Sequence, residues 1–315
     1  MKKLISYILP VYNESDNIDI LYKTVDELVA SETKYDFELI FINDGSRDNS
    51  LDKLVTLQEI DKRVSVINFS RNFGHQIAVT AGLDFALGNA VIIMDSDLQD
   101  PPKVSLELIN KWQEGYDVVY AQRRTRDDGY FKQLSAKWFY IILQKLADID
   151  IPRNTGDFRL LDRRVVDELK KFPEHDRFLR GLVSYVGFRQ TGVLFDRGKR
   201  HAGQTGYPMK KMLKFAADGI FSFSTAPLKL ISRLGVIISI ASFIGIIYAS
   251  YLKFFVPRIT VPGWTLLMIS VLLIGGIQLI MLGVIGGYIG RMYTEVKNRP
   301  LYIISSVFSS SIHHK

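Results

Sequence analysis

Four apolar runs of strand length open the chain, at 4–9 (LISYIL), 37–42 (FELIFI), 64–69 (VSVINF) and 90–94 (AVIIM). Between them lie segments of helical length, at about 15–30, 48–60 and 74–87. Strands alternating with helices close as βαβ units into a mostly parallel sheet, so this part of the chain is expected to be an α/β domain. Strand-like stretches at 117–121 and 189–195 extend the pattern.

Ligands of such a sheet sit beyond the carboxyl ends of its strands. Three polar clusters fall there: Pro10-Val11-Tyr12-Asn13-Glu14 after the first strand, Asn43-Asp44-Gly45-Ser46 after the second, and Asp95-Ser96-Asp97 after the fourth. Residues i and i+2 of an extended segment share a face. Asp95 and Asp97 can therefore converge, and Pro101-Pro102 stop the ladder just beyond them. Two carboxylates with the Gln99 amide are hard oxygen donors suited to Mg²⁺ or Mn²⁺ bridging phosphates. A pair of Asp residues also suits an ordinary turn; three clusters on one rim favour a site. No G-x-G-x-x-G follows the first strand and no G-x-x-x-x-G-K-[ST] occurs, which argues against a dinucleotide oxidoreductase and a P-loop phosphotransferase.

From 116 to 200 the chain turns basic. Gln122-Arg123-Arg124-Thr125-Arg126 follows a strand, and an amphipathic helix at about 130–146 carries Lys132, Ser135 and Lys137. Asn154-Thr155-Gly156-Asp157 is a turn signal before a short apolar segment, and by residue type alone Asp157 reads as a cap or Asx turn. The 197–207 stretch places Arg197, Lys199 and Arg200 among glycines at 198, 203 and 206. It reads equally as a solvated basic loop or as one that closes over a phosphate.

Beyond residue 230 the pattern becomes that of lipid. No charged residue occurs in 234–252 or in 259–290, and roughly 20 apolar residues span a bilayer core. Lys229 and Arg233 before the pair, and Arg291, Lys297 and Arg299 after it, outnumber Lys253 and Arg258 in the connection. The positive-inside rule then places both termini in the cytoplasm. The segment 207–226 interleaves Lys210, Lys211 and Lys214 with Met, Leu, Ile and Phe, as an amphipathic helix on a membrane surface does. Gly283 with Gly287 and Gly286 with Gly290 are small-xxx-small pairs that permit close packing, within the hairpin or between subunits. A net charge of +7 adds a preference for phosphate-bearing partners, and the absence of cysteine removes disulfides, thiol nucleophiles and thiolate metal sites.

The stretches PVYNES, FINDGSRDNS, FSRNFGHQIAVTAGLDFALG, MDSDLQDPP, NTGDFRLLDR, RHAGQTGYPMKKM, SFSTAPLK and GVIGGYIGRMYTEVKNRP cover nearly the whole chain. Together they resemble the polyprenyl-phosphate glycosyltransferases of glycosyltransferase family 2, bactoprenol glucosyltransferases most of all and dolichol-phosphate mannose synthase more distantly. The resemblance implies a cytoplasmic GT-A (Rossmann-like) domain over 1–206 and juxtamembrane helices over 207–232. It implies two transmembrane helices within 233–290 (about 234–255 and 264–290) and a cytoplasmic tail from 291 to 315. It implies that Pro10, Tyr12, Glu14 and Asp44, with Asp95, hold the nucleotide of a UDP-sugar. Asp95, Asp97 and Gln99 would bind Mg²⁺ or Mn²⁺, and Arg123, Lys132, Ser135 and Arg200 would grip the phosphate of undecaprenyl phosphate. Asp157, Asp97 and Arg200 carry the catalytic assignment, Asp157 with a proposed base role. Ser96 stands where relatives usually have Ala, and as the middle residue of its motif it points away from the metal. The expected reaction is inverting transfer of a sugar, glucose before N-acetylglucosamine, to the lipid phosphate by a homotetramer in the bacterial inner membrane.

Three rivals fit less well. A processive polysaccharide synthase would carry Q-x-x-R-W where this chain has QLSAKW at 133–138. A non-catalytic nucleotide-sugar sensor would have lost Asp95, Asp97 and Asp157, all of which are present. A nucleic-acid binder has only the charge in its favour, with no recognition motif and a hairpin against it.

Overall fold

The computed structural model describes residues 2–124, 152, 155–175, 177–196, 224–255 and 263–310. Their elements are β1 (Lys3–Val11), α1 (Ser15–Ser31), β2 (Tyr35–Asn43), α2 (Ser50–Ile60), β3 (Val64–Phe69), α3 (His75–Phe85), β4 (Ala90–Ile93), α4 (Val104–Gln113) and β5 (Val118–Arg123). There follow β6 (Thr155–Asp162), α5 (Arg163–Leu169), α6 (Leu179–Tyr185), β7 (Gln190–Phe195), α7 (Ala226–Phe255), α8 (Trp264–Lys297) and β8 (Ile304–Phe308). The strands form one sheet in the order β7-β5-β6-β4-β1-β2-β3-β8. β4, β1, β2 and β3 run parallel, β5 and β7 run parallel to each other, and β6 is antiparallel to both β4 and β5. This is the expected α/β architecture with a mostly parallel centre.

The central strands are apolar on both faces because both faces are covered. In β1, Ile5, Tyr7, Leu9 and Val11 pack with Ile18, Leu21 and Val25 of α1 and Leu108, Ile109 and Trp112 of α4. Ile8 faces the opposite core, with Val79 and Leu83 of α3 and Val165, Leu179 and Leu182 of α5 and α6. Gly82 lets α3 lie this close, since a Cβ there would stand 2.4 Å from Ile8 Cγ2. The close approach matters functionally, because α3 begins at the rim where the polar clusters lie.

Chain order reverses at β1, with β2 on one side and β4 on the other. Such a switch point opens a crevice beyond the strand ends, and the 10–14 and 95–99 clusters flank it. Ser96 ties the two sides together, its buried hydroxyl donating to the Pro10 carbonyl oxygen at 2.5 Å. The residue that points away from the expected metal thus pins the loop that carries it.

Two expectations are corrected. Asp157 does not lie in a turn: it is the third residue of β6, and β6 pairs with β4 and β5 through Arg159, Leu160 and Leu161. The expected second transmembrane helix, about 264–290, also ends later than its expected bound, and the described part of the 291–315 tail carries structure of its own. α8 continues to Lys297, and Ile304–Phe308 adds an antiparallel strand to β3. The bare edge of a parallel sheet needs a partner, and Tyr302 stacking on Phe69 at 5.2 Å helps supply it.

α7 and α8 have 30 and 34 residues, roughly 45 and 51 Å at 1.5 Å per residue. Both are long and apolar enough to cross a membrane, with spans at Ala226–Gly245 and Leu273–Lys297 exposed along their length. α7 therefore starts inside the region expected for the juxtamembrane helices. Tyr288 donates to the Ser224 carbonyl oxygen at 2.6 Å and joins the second helix to the start of the first. The amphipathic segment 207–223 and the connection 256–262 lie outside the described residues.

Candidate active site

On the β4 side of the crevice the chain turns sharply. Leu98 has φ +56°, and Asp97 Oδ1 accepts from the Gln99 backbone N–H at 3.1 Å. Asp95 leads this loop, and its Oδ1 is buried with no hydrogen-bond donor on it. Asp157 comes up beside it from β6. Asp157 Oδ1 accepts from Arg180 Nε at 2.7 Å and Oδ2 from Gln76 Nε2 at 3.2 Å. His75, the first residue of α3, stands between the two carboxylates, with Nε2 3.3 Å from Asp157 Oδ2 and 3.5 Å from Asp95 Oδ1.

These groups set one another's charge. Burial pushes Asp95 up to about 6; His75 pulls it back only in part, while Asp157, Asp100 and Asp97 add to the rise. Burial also pushes on Asp157, but Arg180 and His75 overcome it and hold this carboxyl well below the usual range. Desolvation pulls the His75 imidazole down, yet the two carboxylates outweigh it and lift it to about 9. Asp157 is thus an anion fixed by three donors and a poor proton acceptor. Two residues along β6, burial lowers Arg159 to about 10, and its Nη2 donates to the Gly156 carbonyl at 2.9 Å.

Across the crevice Asp44 organises the other wall. Its Oδ1 accepts from the Phe73 N–H at 2.7 Å, and its Oδ2 from the Gly74 N–H at 2.9 Å and Asn72 Nδ2 at 3.0 Å. This holds the loop that launches α3 and so places His75 and Gln76. Tyr12 is 44% exposed, Pro10 is the penultimate residue of β1, and Glu14 Oε2 accepts from Asn17 Nδ2 at 2.5 Å. Arg123 at the end of β5 stands 3.7 Å from the buried Asp100. Lys132, Ser135 and Arg200 lie outside the described residues.

Of the residues expected at the site, the structure brings Asp95 and Asp157 together at His75, and with them stand Gln76 and Arg180, which like His75 were not among the expected residues. His75 and Gln76 were open to the rim rule that pointed to Asp44, Asp95 and Asp97, since both follow the carboxyl end of β3; Asp157 came from the family resemblance. Arg180 carried no local signal.

Residues 6–170 match the family described as Glycosyl transferase family 2. The chain belongs to glycosyltransferase family 2. This glycosyltransferase is 52% identical over 304 residues to the uncharacterized glycosyltransferase YkcC of Bacillus subtilis (strain 168), covering 96% of this chain and 94% of that one. It is 44% identical to the bactoprenol glucosyl transferase of Shigella phage SfII, over 95% of this chain and 97% of the relative. A prophage bactoprenol glucosyl transferase homolog of Escherichia coli (strain K12) is 42% identical over 96% of this chain and 99% of its own length. Among solved structures, a glucosyl-3-phosphoglycerate synthase from Mycobacterium tuberculosis, in complex with Mn²⁺, uridine diphosphate and glucosyl-3-phosphoglycerate, is similar with a TM-score of 0.48. It is 19% identical over 74% of this chain and 80% of that one.

The residues present in this family 2 enzyme fit a divalent cation. The undonated Asp95 oxygen and the mutual repulsion of Asp95, Asp97, Asp100 and Asp157 are what a cation would relieve. Among the described residues no three His, Asp or Glu side chains form a closed cage. Asp95 and Asp97 would supply the one or two carboxylates with which Mg²⁺-type binding begins, substrate phosphates and water completing the shell.

Gly45 makes the Asp44 wall possible. It has φ +65°, and a Cβ there would stand 2.4 Å from the Arg71 carbonyl carbon and 2.5 Å from the Asn72 nitrogen. Gly45→Ala must expel the loop that Asp44 holds. We expect a loss of about 2–3 kcal/mol in stability, from left-handed strain and broken loop contacts, with turnover falling more than tenfold. Thermal unfolding and a transfer assay on the same preparation check both.

Proposed function

We propose that this glycosyltransferase moves a sugar, glucose by preference, from a UDP-sugar to undecaprenyl phosphate at the cytoplasmic face of the bacterial inner membrane. The product is a lipid-linked sugar for later envelope glycosylation. The observation that carries this reading is that a carboxylate-lined rim and two membrane-length helices occur in one chain. The phage bactoprenol glucosyl transferase aligns over 95% of that chain.

Tyr12 and Pro10 border the uridine, with Glu14 behind them. A carboxylate offers about four lone-pair sites; three at Asp44 are taken by the 72–74 loop, which leaves one for an imide N–H of the base. Asp95 and Asp97, with Gln99, would hold Mg²⁺ or Mn²⁺, which when bound neutralises charge growing on the departing diphosphate. An acceptor phosphate oxygen, already ionised at neutral pH, attacks the anomeric carbon from the face opposite UDP. The bond to the UDP oxygen breaks, and the linkage inverts to β. Arg123, Lys132, Ser135 and Arg200 orient that phosphate, and Asp157 positions rather than deprotonates. The assembly we propose is a homotetramer, with the small-xxx-small pairs Gly283 with Gly287 and Gly286 with Gly290 at helix contacts.

The test is transfer from radiolabelled UDP-glucose and UDP-N-acetylglucosamine to undecaprenyl phosphate, with and without Mn²⁺. We expect metal-dependent labelling of the lipid from UDP-glucose, with a β linkage in the product. Labelling from UDP-N-acetylglucosamine alone would change the sugar; an α linkage would overturn the inverting course; no lipid labelling from either would overturn the acceptor.

A further inference from the structure

A histidine of the catalytic domain meets the end of the membrane helix α8. His175 lies in the loop between α5 and α6. Its backbone N–H donates to Glu295 Oε1 at 2.8 Å, and its ring Nδ1 lies 2.9 Å from Glu295 Oε2. Ring Nε2 lies 2.6 Å from the Arg299 carbonyl oxygen. Both ring nitrogens face acceptors, an arrangement only the doubly protonated imidazolium satisfies in full. Glu295 stands in the last turn of α8, and Arg299 follows the Asn298 cap that ends it.

The loop that bears His175 is tied to itself. Arg177 donates to the carbonyl oxygens of Phe172 and Glu174, and Phe172 packs edge-on against Tyr185 at 5.8 Å. The far end of this knot enters α6. There the Leu179 N–H donates to Gln76 Oε1 at 3.1 Å and Arg180 Nε to Asp157 Oδ1 at 2.7 Å. Four residues after the histidine that grips the membrane helix, the chain grips the active-site glutamine, and one residue later the active-site aspartate. The path along the chain from His175 to Leu179 is short, and Arg177 on it is bonded back to Phe172 and Glu174.

We propose that His175 and Glu295 are positioning residues for glycosyl transfer: they clasp the emerging end of α8 to the knot before α6, so that the placement of Asp157 and Gln76 follows the placement of the membrane helix. The inference rests on the reading of Asp157 and Gln76 as active-site residues. It gives the clasp a role beyond attachment, because attachment is supplied separately by β8 and by Tyr302, whose hydroxyl donates to Asp84 Oδ2 at 2.9 Å.

The test compares full-length wild type, His175→Ala, Glu295→Gln and Tyr302→Phe in detergent micelles, by backbone amide hydrogen exchange and by transfer kinetics. His175→Ala should speed exchange across 179–185 and leave α1 unchanged. It should lower kcat roughly ten- to a hundredfold with the KM for the nucleotide sugar unchanged. Glu295→Gln keeps the shape and one acceptor oxygen, so it should show the same changes to a smaller degree; it also decides the matter if His175→Ala fails to fold. Tyr302→Phe loosens the same C-terminal segment and should move neither readout. Wild-type exchange in α6 of both clasp variants would overturn the proposal, as would Tyr302→Phe reproducing their effect. Exchange needs no substrate, so it judges the clasp even if wild type labels no lipid and the proposed acceptor fails.

Discussion

Asp95→Asn should abolish glycosyl transfer while leaving the metal-free protein at least as stable as wild type. The two halves follow from one fact. Asp95 is half-buried, with its Oδ1 shielded from solvent beside Asp97, Asp100 and Asp157, and its carboxyl is pushed up to about 6. An acid whose folded pKa lies above its unfolded value costs stability once it ionises. The cost grows as pH rises from the unfolded value near 4 to the folded value near 6, and is complete at neutral pH. The asparagine has the same shape and carries no such cost. What it lacks is the charge a divalent cation needs. Losing one of two carboxylates removes several kcal/mol of stabilisation from the departing diphosphate, which at about 1.4 kcal/mol per decade is on the order of a thousandfold in rate. Thermal melts at pH 7.5, with and without Mn²⁺, check the pair of expectations beside the transfer assay. Wild type should gain melting temperature from Mn²⁺ and the variant should gain none. A variant that melts well below metal-free wild type would show that Asp95 supports the fold and is not held there at its expense.

How much of this was legible in the sequence depends on where each residue finds its partners. β1 to β4 and α1 to α3 could be read because burial on both faces is written locally, as apolar runs bounded by polar turns. The rim residues Asp44, Asp95 and Asp97 could be read because strand ends and turn chemistry are local too. β6 could not. Asn154-Thr155-Gly156-Asp157 has the composition of a turn, and it is extended because β4 and β5 pair with it while Arg180 and Gln76, distant in sequence, take up the Asp157 carboxylate. β8 was equally hidden: Ile304-Ser305-Ser306-Val307-Phe308 is weakly patterned and becomes a strand because the β3 edge accepts it. His75 sits in between. Its position after β3 was visible, but its role depends on two carboxylates arriving from β4 and β6. The local code supplied the frame and one wall of the site; the other wall is made of long-range pairs.

One such pair carries the remaining large effect. Arg180→Ala should cost about as much turnover as Asp157→Asn, and the double variant should cost little more than either. Arg180, with His75, overcomes burial and keeps Asp157 well below the ordinary carboxylate range, and Arg180 is the larger influence of the two. Removing it raises the pKa of Asp157 and makes that residue a better proton acceptor. If Asp157 worked as a general base, Arg180→Ala would preserve or improve the proton-transfer step, and Asp157→Asn alone would be severe. If Asp157 works by position, its ionised oxygens must stay where Arg180, Gln76 and His75 hold them, and either substitution dismantles the same unit. Residues that act as a unit show strongly non-additive losses. Arg180→Ala should also destabilise the fold by about 3 kcal/mol, because it leaves a buried carboxylate without its main countercharge. That carboxylate contributes stability above its unfolded pKa near 4, and the contribution disappears only as pH falls through the depressed folded value. The stability gap between wild type and Arg180→Ala should therefore be widest at neutral pH and narrow as pH falls to the unfolded value and below. Transfer rates for the two single variants and the double, with melts from about pH 3 to 8, give the cycle. Additive losses, or an Arg180→Ala enzyme that turns over like wild type, would restore Asp157 as a base.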